Sequence, residues 1–329
     1  GMGTMLDKSD RLVKLVEAIG EDWNFTDTEK ADVRRAAHLS KSDLATGMVT
    51  EFTELQGEMG KEYALLDGEK PKVAAAIFEQ YMPRFAGDVL PKSSIGRVLS
   101  LSDKLDNLAA TFLRGLIPTG SQDPFALRRQ TIGAVHILTD GEIHWDVSKG
   151  VKMALALLPG TQEEKDTAAD KVEDFFRQRI KAILLDEGVD YDIVDAVLTG
   201  AVDDVYAIFL KAHSMMDCFV YVDLEMCQAV TRFVNITKGK TAVEIRPELF
   251  TEEAEKNLYA ALEKAGEEVT NAYNAYDYGS ALPALKTLTV PINQFLDSVM
   301  VMVEEEAVRK NRISLLINVL EWICYCIKK

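Results

Sequence analysis

The fold is decided by residues 95–116, which read IGRVLSLSDKLDNLAATFLRGL. Apolar side chains recur there at intervals of three and four residues, which places them on one side of an α-helix: Val98, Leu101, Leu105, Leu108 and Phe112. Similar spacing recurs along most of the 329 residues, whereas the alternation typical of β-strands is weak everywhere. The sequence therefore predicts an all-α protein made of several helical bundles.

Local signals place several helix ends. Thr26 with Glu29, and Thr161 with Glu164, have the spacing of capping boxes. After the turn at 117–124, Asp123 is expected to cap a helix that has Pro124 in its first position. Towards the C-terminus, a short extended stretch is expected at 241–245, a helix capped by Thr251, and a buried apolar run at 299–303.

Charge limits the classes of partner. The chain has 37 Lys and Arg against 53 Asp and Glu, a net charge of −16, which excludes an indiscriminate nucleic-acid coat protein. The acidity is uneven: the net charge is −4 over residues 1–140, −10 over 141–230 and −2 over 231–329. Local binding of one nucleic acid by residues 231–329 is therefore not excluded by charge.

Signatures of common cofactor and metal sites are missing from the sequence. The four cysteines form no CxxC pair, and the four histidines are too scattered for a metal motif. Gly239-Lys240-Thr241 ends like a phosphate-binding P-loop, but Val234 stands where the upstream glycine is required. No apolar run reaches the roughly 18 residues of a membrane span, so no membrane partner is expected.

Five long motifs, in order along the chain, carry a family resemblance. They are KSDLATGMVTEFTELQGEMG at 41–60, DKLDNL at 103–108, PTGSQDPFALRR at 118–129, GVDYDIVDAV at 188–197 and FLDSVMVMVEEEAVRKNR at 295–312. Together they resemble the β subunit of bacterial glycyl-tRNA synthetase. That subunit is much longer than this chain, which resembles its C-terminal half.

The resemblance implies three helical parts. These are an HD-like domain over 1–140, a helical body or linker region over 141–230, and an anticodon-binding domain over 231–329. The last is similar to the DALR-type domains of arginyl and cysteinyl synthetases, with the likeness in 297–312.

The same resemblance implies a role in tRNA(Gly) binding. The chain would position tRNA for glycylation by a cytoplasmic holoenzyme in which the separate α subunit carries the aminoacylation site and uses ATP and Mg. No catalytic residue, cofactor or DNA partner is expected in this chain. Two alternatives stay open: an HD-type metal-dependent phosphohydrolase, and a helical scaffold for the α subunit.

An active HD domain needs histidines and aspartates around a divalent metal. At the positions that match this pattern the chain has Asp43, preceded by Ser42 rather than His, and Asp103, with His38 one helical turn before Asp43 and Gln80 in place of another His. One His and two Asp cannot easily close a competent site, so no metal is expected. The alternative is that Asp43 and Asp103 are helix caps or ion-pair partners.

Basic residues supply the candidates for tRNA contact, because Arg and Lys pair with phosphates and single-stranded loops can be read on their base edges. Each has a plainer alternative: a solvated loop, an ion pair of Arg309 or Arg312 with the acidic run 304–306, or a clamp of Arg128 and Arg129 to Asp103 and Asp106. The candidates are Arg232, Asn235, Lys238, Lys240 and Arg246 in the densest basic stretch, Arg309, Asn311 and Arg312 in the last motif, and Arg128 and Arg129 after the turn at 117–124.

Overall fold

The computed structural model describes residues 3–120, 122–219 and 224–328. Over these residues the chain is helical, with short 3₁₀ turns at Ser42–Ala45, Thr53–Leu55 and Pro247–Leu249. Between the helices it forms isolated bridges, Thr119 with Gln122 and Asp146 with Asp204, and no named strand within the described ranges. The all-α prediction is confirmed. None of the described helices is both long enough and apolar enough to cross a membrane.

The chain forms two compact units. Unit 1 contains Gly1–Ile183 with Val202–Tyr206, and unit 2 contains Leu184–Ala201 with Ala207–Lys329. Each unit is described by itself below. The division into three domains at residues 140 and 230 stays a prediction.

Unit 1 is built around α6. Its helices are α1 (Met5–Asp22), α2 (Asp27–Leu39), α3 (Gly47–Glu51), α4 (Glu58–Leu66), α5 (Pro71–Glu79), α6 (Ser94–Leu113), α7 (Leu127–Asp140), α8 (Val147–Ala156) and most of α9 (Gln162–Asp186). Helix α6 contacts α1, α2, α5, α7 and α8. The predicted apolar stripe is buried, and burying a large apolar side chain contributes about 1.5–3 kcal/mol.

The predicted helix starts are mostly confirmed, with one exception. The capping boxes of Thr26 with Glu29 and of Thr161 with Glu164 are both present. The helix after the turn, in contrast, begins at Leu127 rather than at Pro124, because Ala126 has a left-handed conformation with φ of 53°. The Asp123 carboxylate nevertheless accepts hydrogen bonds from the backbone N–H groups of Leu127 and Arg128, at 2.8 and 2.9 Å.

Unit 2 is a second helical bundle. Its helices are α10 (Tyr191–Val197), α11 (Val205–Phe219, from Ala207 onwards), α12 (Leu224–Thr237), α13 (Glu253–Asn274), α14 (Tyr278–Lys286), α15 (Thr289–Ser298) and α16 (Glu306–Lys328). Helix α13 packs against α14, α15 and α16. Fully buried Phe233 of α12 meets Phe295 of α15 edge to face, with ring centroids 6.4 Å apart.

Residues 241–245 are not assigned to a strand, and the backbone N–H of Val243 donates to the Ser314 hydroxyl of α16. Two predictions for this unit are wrong. Thr251 does not cap α13: Glu252 is the capping residue, in a box with Glu255. The run 299–303 is only partly core, because Val299 and Val301 are buried whereas Met300 and Met302 are exposed.

Candidate functional site

The densest basic stretch begins on the last turns of α12. Arg232 and Asn235 are three residues apart, so they share one face of the helix, and both are exposed. Lys238 follows at the helix end and is also exposed. Within the described part of the chain, the side chains of Arg232 and Lys238 form no hydrogen bond or ion pair. These three side chains are therefore available to an external partner.

The chain then turns through Gly239, whose φ of 71° suits a residue without a side chain. Lys240 follows, exposed, with its ammonium 3.3 Å from the Met302 sulfur. A thioether is a weak acceptor, so it leaves most of the charge of Lys240 available. We call the exposed side chains of Arg232, Asn235, Lys238 and Lys240 the basic strip.

The loop beyond the basic strip is held by α16. The backbone N–H of Val243 donates to the Ser314 hydroxyl at 2.8 Å. The Asn311 side chain accepts from the N–H of Arg246 at 2.7 Å and donates to its carbonyl at 3.1 Å. Asn311 is buried and pairs with one residue's backbone in both directions, whereas the Arg246 side chain is exposed. Asn311 thus positions the loop from inside.

Arg312 is also buried, and all of its donors are directed inwards. Its guanidinium donates to both oxygens of the Glu255 carboxylate, at 2.9 and 3.0 Å, to the Thr251 hydroxyl at 2.8 Å and to the carbonyl of Met300 at 2.8 Å. Burial opposes ionisation of Glu255, but the hydrogen bonds from Arg312 and from the backbone of Glu252 and Thr251 outweigh it and lower the pKa of Glu255. The pair joins α13 to α16.

The acidic run 304–306 keeps one of its two expected partners, because the hydrogen bond and charge of Lys310 lower the pKa of Glu306 and the charge of Arg309 adds to this shift. Arg309, half-buried, donates to the backbone carbonyls of Val303 and Glu304 at 2.8 and 3.3 Å. Lys310 pairs with the Glu306 carboxylate at 2.6 Å. Arg312 contacts none of these carboxylates among the described residues, because Glu255 occupies it. The sequence alternative for Arg312 is therefore wrong in its partner.

Arg128 and Arg129 lie in unit 1, in the first turn of α7. The Arg128 guanidinium donates to the carbonyl of Gly120 at 2.6 Å, which closes the turn before the helix. Arg129 is exposed and has no side-chain partner within the described ranges. The predicted clamp to Asp103 and Asp106 is not formed, since other cations hold both carboxylates.

The positions matched to an HD site are separated by their surroundings. His38 is exposed on α2. Asp43 is 2% exposed, and its carboxylate accepts the backbone N–H of Gly57 at 2.6 Å. Asp103 lies within α6, where one of its oxygens is 3.0 Å from the ammonium groups of both Lys8 and Lys41. Asp103 is therefore an ion-pair partner.

These surroundings do not fit a divalent metal ion. Over the described ranges, no group of three or more His, Cys, Asp and Glu side chains is placed to hold one. The two ammonium groups at Asp103 would repel a second cation. Burial opposes ionisation of Asp103, yet Lys41 and Lys8 together hold the pKa of that carboxyl well below its usual range. No step of a metal-dependent hydrolysis follows from this arrangement.

A third lysine, Lys104, lies beside this pair. Its ammonium donates to the carbonyl of Met82 at 2.7 Å and to the Ser100 hydroxyl at 2.6 Å. Burial lowers the pKa of Lys104 to about 7; the charge of Asp103 opposes this shift and that of Lys41 adds to it. We call Lys8, Lys41 and Lys104 the lysine cluster. The sequence did not predict this cluster. A signal was present, because α6 has charged residues at 103, 104 and 106 although nearly all of its 20 residues are buried.

Comparison with known families decides what the two units are related to. The family model described as glycyl-tRNA synthetase beta subunit matches residues 1–199, more than half of the chain. The chain belongs to this family. A second model, described as DALR anticodon binding domain, matches residues 226–326, which include the basic strip and its supports on α13 and α16. The resemblance stated from the motifs is thereby confirmed.

Individual relatives agree with the family models. Glycine–tRNA ligase beta subunits of Desulforamulus reducens and Halothermothrix orenii are each 41% identical over 324 residues, and that of Desulforudis audaxviator is 42% identical over 318 residues. Each alignment covers 96% of this chain and 46% of the relative. The chain thus spans about half the length of the curated relatives it matches.

Proposed function

We propose that this chain is the tRNA(Gly)-binding part of a glycyl-tRNA synthetase β subunit, and that unit 2 holds the anticodon arm. The observation that carries the proposal is the basic strip: four exposed side chains, held on one helix end and the following turn, within the segment that matches an anticodon-binding model. Arg and Lys there would pair with phosphates, and Asn235 could bond a base edge.

The contribution of such a chain to the reaction is positioning. Anchoring the anticodon arm fixes the orientation of the tRNA, which raises the chance that its 3′ end meets the activated amino acid. In this proposal the α subunit is the partner that uses ATP and Mg and joins glycine to tRNA, and the holoenzyme works in the cytoplasm. The chain itself contributes no catalytic residue.

The geometry changes the set of tRNA contacts that we propose. The residues that stay as direct contacts are Arg232, Asn235, Lys238 and Lys240. Exposed Arg246 lies in the loop that follows them, and half-buried Arg309, on α16, bonds to the backbone at 303–304. Asn311 and Arg312 are assigned instead to holding the loop and the helices, because their side chains are buried and bonded internally. Arg128 and Arg129 belong to unit 1 and are left out of this set of contacts.

The test is binding of tRNA(Gly) to the full chain across a series of salt concentrations. We expect neutralising Arg232, Lys238 and Lys240 together to weaken binding by about tenfold or more and to reduce the salt slope by about two, since each phosphate contact contributes roughly 0.7–0.9 to it. The matched control is Lys264→Gln, an exposed cation of α13 outside the strip. Unchanged affinity and salt slope in the triple variant would refute the proposal.

A further inference from the structure

The lysine cluster opens into a cavity of about 320 Å³ in unit 1, for which the proposed function has no use. That volume lies at the lower end of the range for small-molecule sites. Its walls come from α1, from the segments around the 3₁₀ turns, and from α6 and the start of α7. The lining residues are Met5, Lys8, Lys41, Leu44, Gln56, Gln80, Tyr81, Pro83, Arg84, Asp103, Lys104, Asn107, Arg129 and Gln130.

The cavity is positive in a chain that is strongly negative overall. Five basic side chains line it against one carboxylate, Asp103. Charged groups also lie next to the lining residues. Asp106 pairs with Lys8 and with Arg11, and Asp88 pairs with Arg84. The charge of Asp43 acts on Lys41. These carboxylates offset charge behind the wall, whereas the surface that a ligand would contact stays predominantly basic, which favours an anion.

The donors that remain for a ligand can be identified. Lys8 is fully used, because its three protons point to Asp103, Asp106 and Asn107, at 3.0, 2.9 and 2.8 Å. Lys104 has two acceptors for its three protons. Lys41 has Asp103 as its ion-pair partner, with the Tyr81 ring 4.7 Å away. Arg129 has its whole guanidinium free within the described residues.

We propose that this cavity binds a phosphate dianion, either inorganic phosphate or the terminal phosphate of a phosphomonoester. Lys41 and Lys104 would donate to it from the buried wall, and Arg129 from the exposed rim. Phosphate suits the site better than a carboxylate because its oxygens accept several donors at once. The site differs from the basic strip, which lies in unit 2.

The proposal predicts a change in protonation. A bound dianion favours the charged form of Lys104, so binding at pH 7.5 takes up protons from the solution. The other charged or titratable groups that line the cavity with this lysine are Lys8, Lys41, Tyr81, Arg84, Asp103 and Arg129. Sulfate is the probe for this measurement, because it does not titrate near neutral pH. Proton uptake, read from calorimetry in two buffers of different ionisation enthalpy, should disappear in Lys104→Met.

The binding experiment uses the full chain with inorganic phosphate, and chloride as the monoanion comparator. We expect saturable phosphate binding in the millimolar range or tighter, weakened about tenfold by Arg129→Gln and by Lys104→Met. Lys14→Gln, an exposed cation of α1 outside the cavity, is the control and should bind as the wild type does. Arg129→Gln is at the surface, so it tests the site without disturbing the fold.

Saturating tRNA(Gly) distinguishes two sources of the phosphate. Displacement of inorganic phosphate by tRNA with a 5′ phosphate, but not by the same tRNA with a 5′ hydroxyl, would assign the site to the terminal phosphate of the RNA. Retention would assign it to a free small anion; both outcomes support a phosphate site. No saturable binding up to about 10 mM, or equal affinity in wild type and Arg129→Gln, overturns the proposal. Loss of tRNA binding in basic-strip variants leaves this result untouched.

Discussion

The Arg312 guanidinium donates two hydrogen bonds, of 2.9 and 3.0 Å, to the Glu255 carboxylate, and both side chains are almost completely buried. The pair links the first turn of α13 to α16, the two longest helices of unit 2. An arginine that the family motif marked as a candidate RNA contact is therefore part of the frame that supports the basic strip.

Breaking this pair should destabilise unit 2. Arg312→Met is expected to lower the free energy of unfolding by about 3–5 kcal/mol, because it leaves the Glu255 carboxylate buried without its partner. Urea unfolding followed by circular dichroism measures the effect. Lys310→Met, which removes an exposed ion pair with Glu306 on the same helix, should cost less than about 1 kcal/mol. Equal losses in the two variants would contradict a structural role for Arg312.

Removing the amide of Asn311 should loosen the loop after the basic strip. Asn311→Leu leaves the N–H and carbonyl of Arg246 without these partners, at an expected cost of about 1–3 kcal/mol. Hydrogen exchange should become faster across 243–246. Asn257→Leu, an exposed position of α13 away from this loop's cavity, is the control. Unaltered exchange over this loop would show that Asn311 does not hold it.

Lys104 should make stability depend on pH above neutrality. Its pKa is about 7 in the folded chain and 10.5 in the unfolded chain, so between these values the unfolded state binds more protons and stability rises with pH. Between pH 7 and 9 we expect this residue to add roughly 2 kcal/mol to the free energy of unfolding. The readout is the difference between wild type and Lys104→Met, in which groups common to both cancel. A difference that stays constant over this range would refute the shifted pKa.

Lys8 should be required for the stability of unit 1. Lys8→Met removes a counter-charge from two carboxylates of α6, Asp103 and Asp106, and we expect a loss of about 3 kcal/mol. Lys14→Met, on an exposed face of the same helix, should change stability by less than about 0.5 kcal/mol. Thermal unfolding of the two variants side by side gives the comparison, and similar midpoints would show that Lys8 is dispensable.

The sequence predicted those features that periodicity and short-range chemistry determine. The stripe of α6 is buried as its spacing indicates, and the boxes at Thr26 and Thr161 form because each involves side chains only three residues apart. The start of α7 was placed too early, since the left-handed conformation of Ala126 has no signal in the residue type. Rules based on neighbouring residues do not predict a backbone conformation that depends on tertiary packing.

The candidate site was predicted in part for a similar reason. Residues 232–240 stood out as basic and are exposed, but basic residues of the last motif divide into half-buried Arg309 and buried Arg312. The burial of Arg312 depends on Glu255, more than fifty residues earlier, which no local pattern connects with it. The lysine cluster joins positions nearly a hundred residues apart, and composition alone does not reveal such pairs.

Helix α1 has a consequence for anyone who divides this protein into pieces. It supplies Lys8 and Arg11 to carboxylates that lie some ninety-five residues later, inside α6. A truncated chain that starts after α1 would have to enclose Asp106 without either of its cations, and Asp103 with Lys41 alone. Domain dissection of this chain must therefore keep α1, with its cap at Thr4, together with α6.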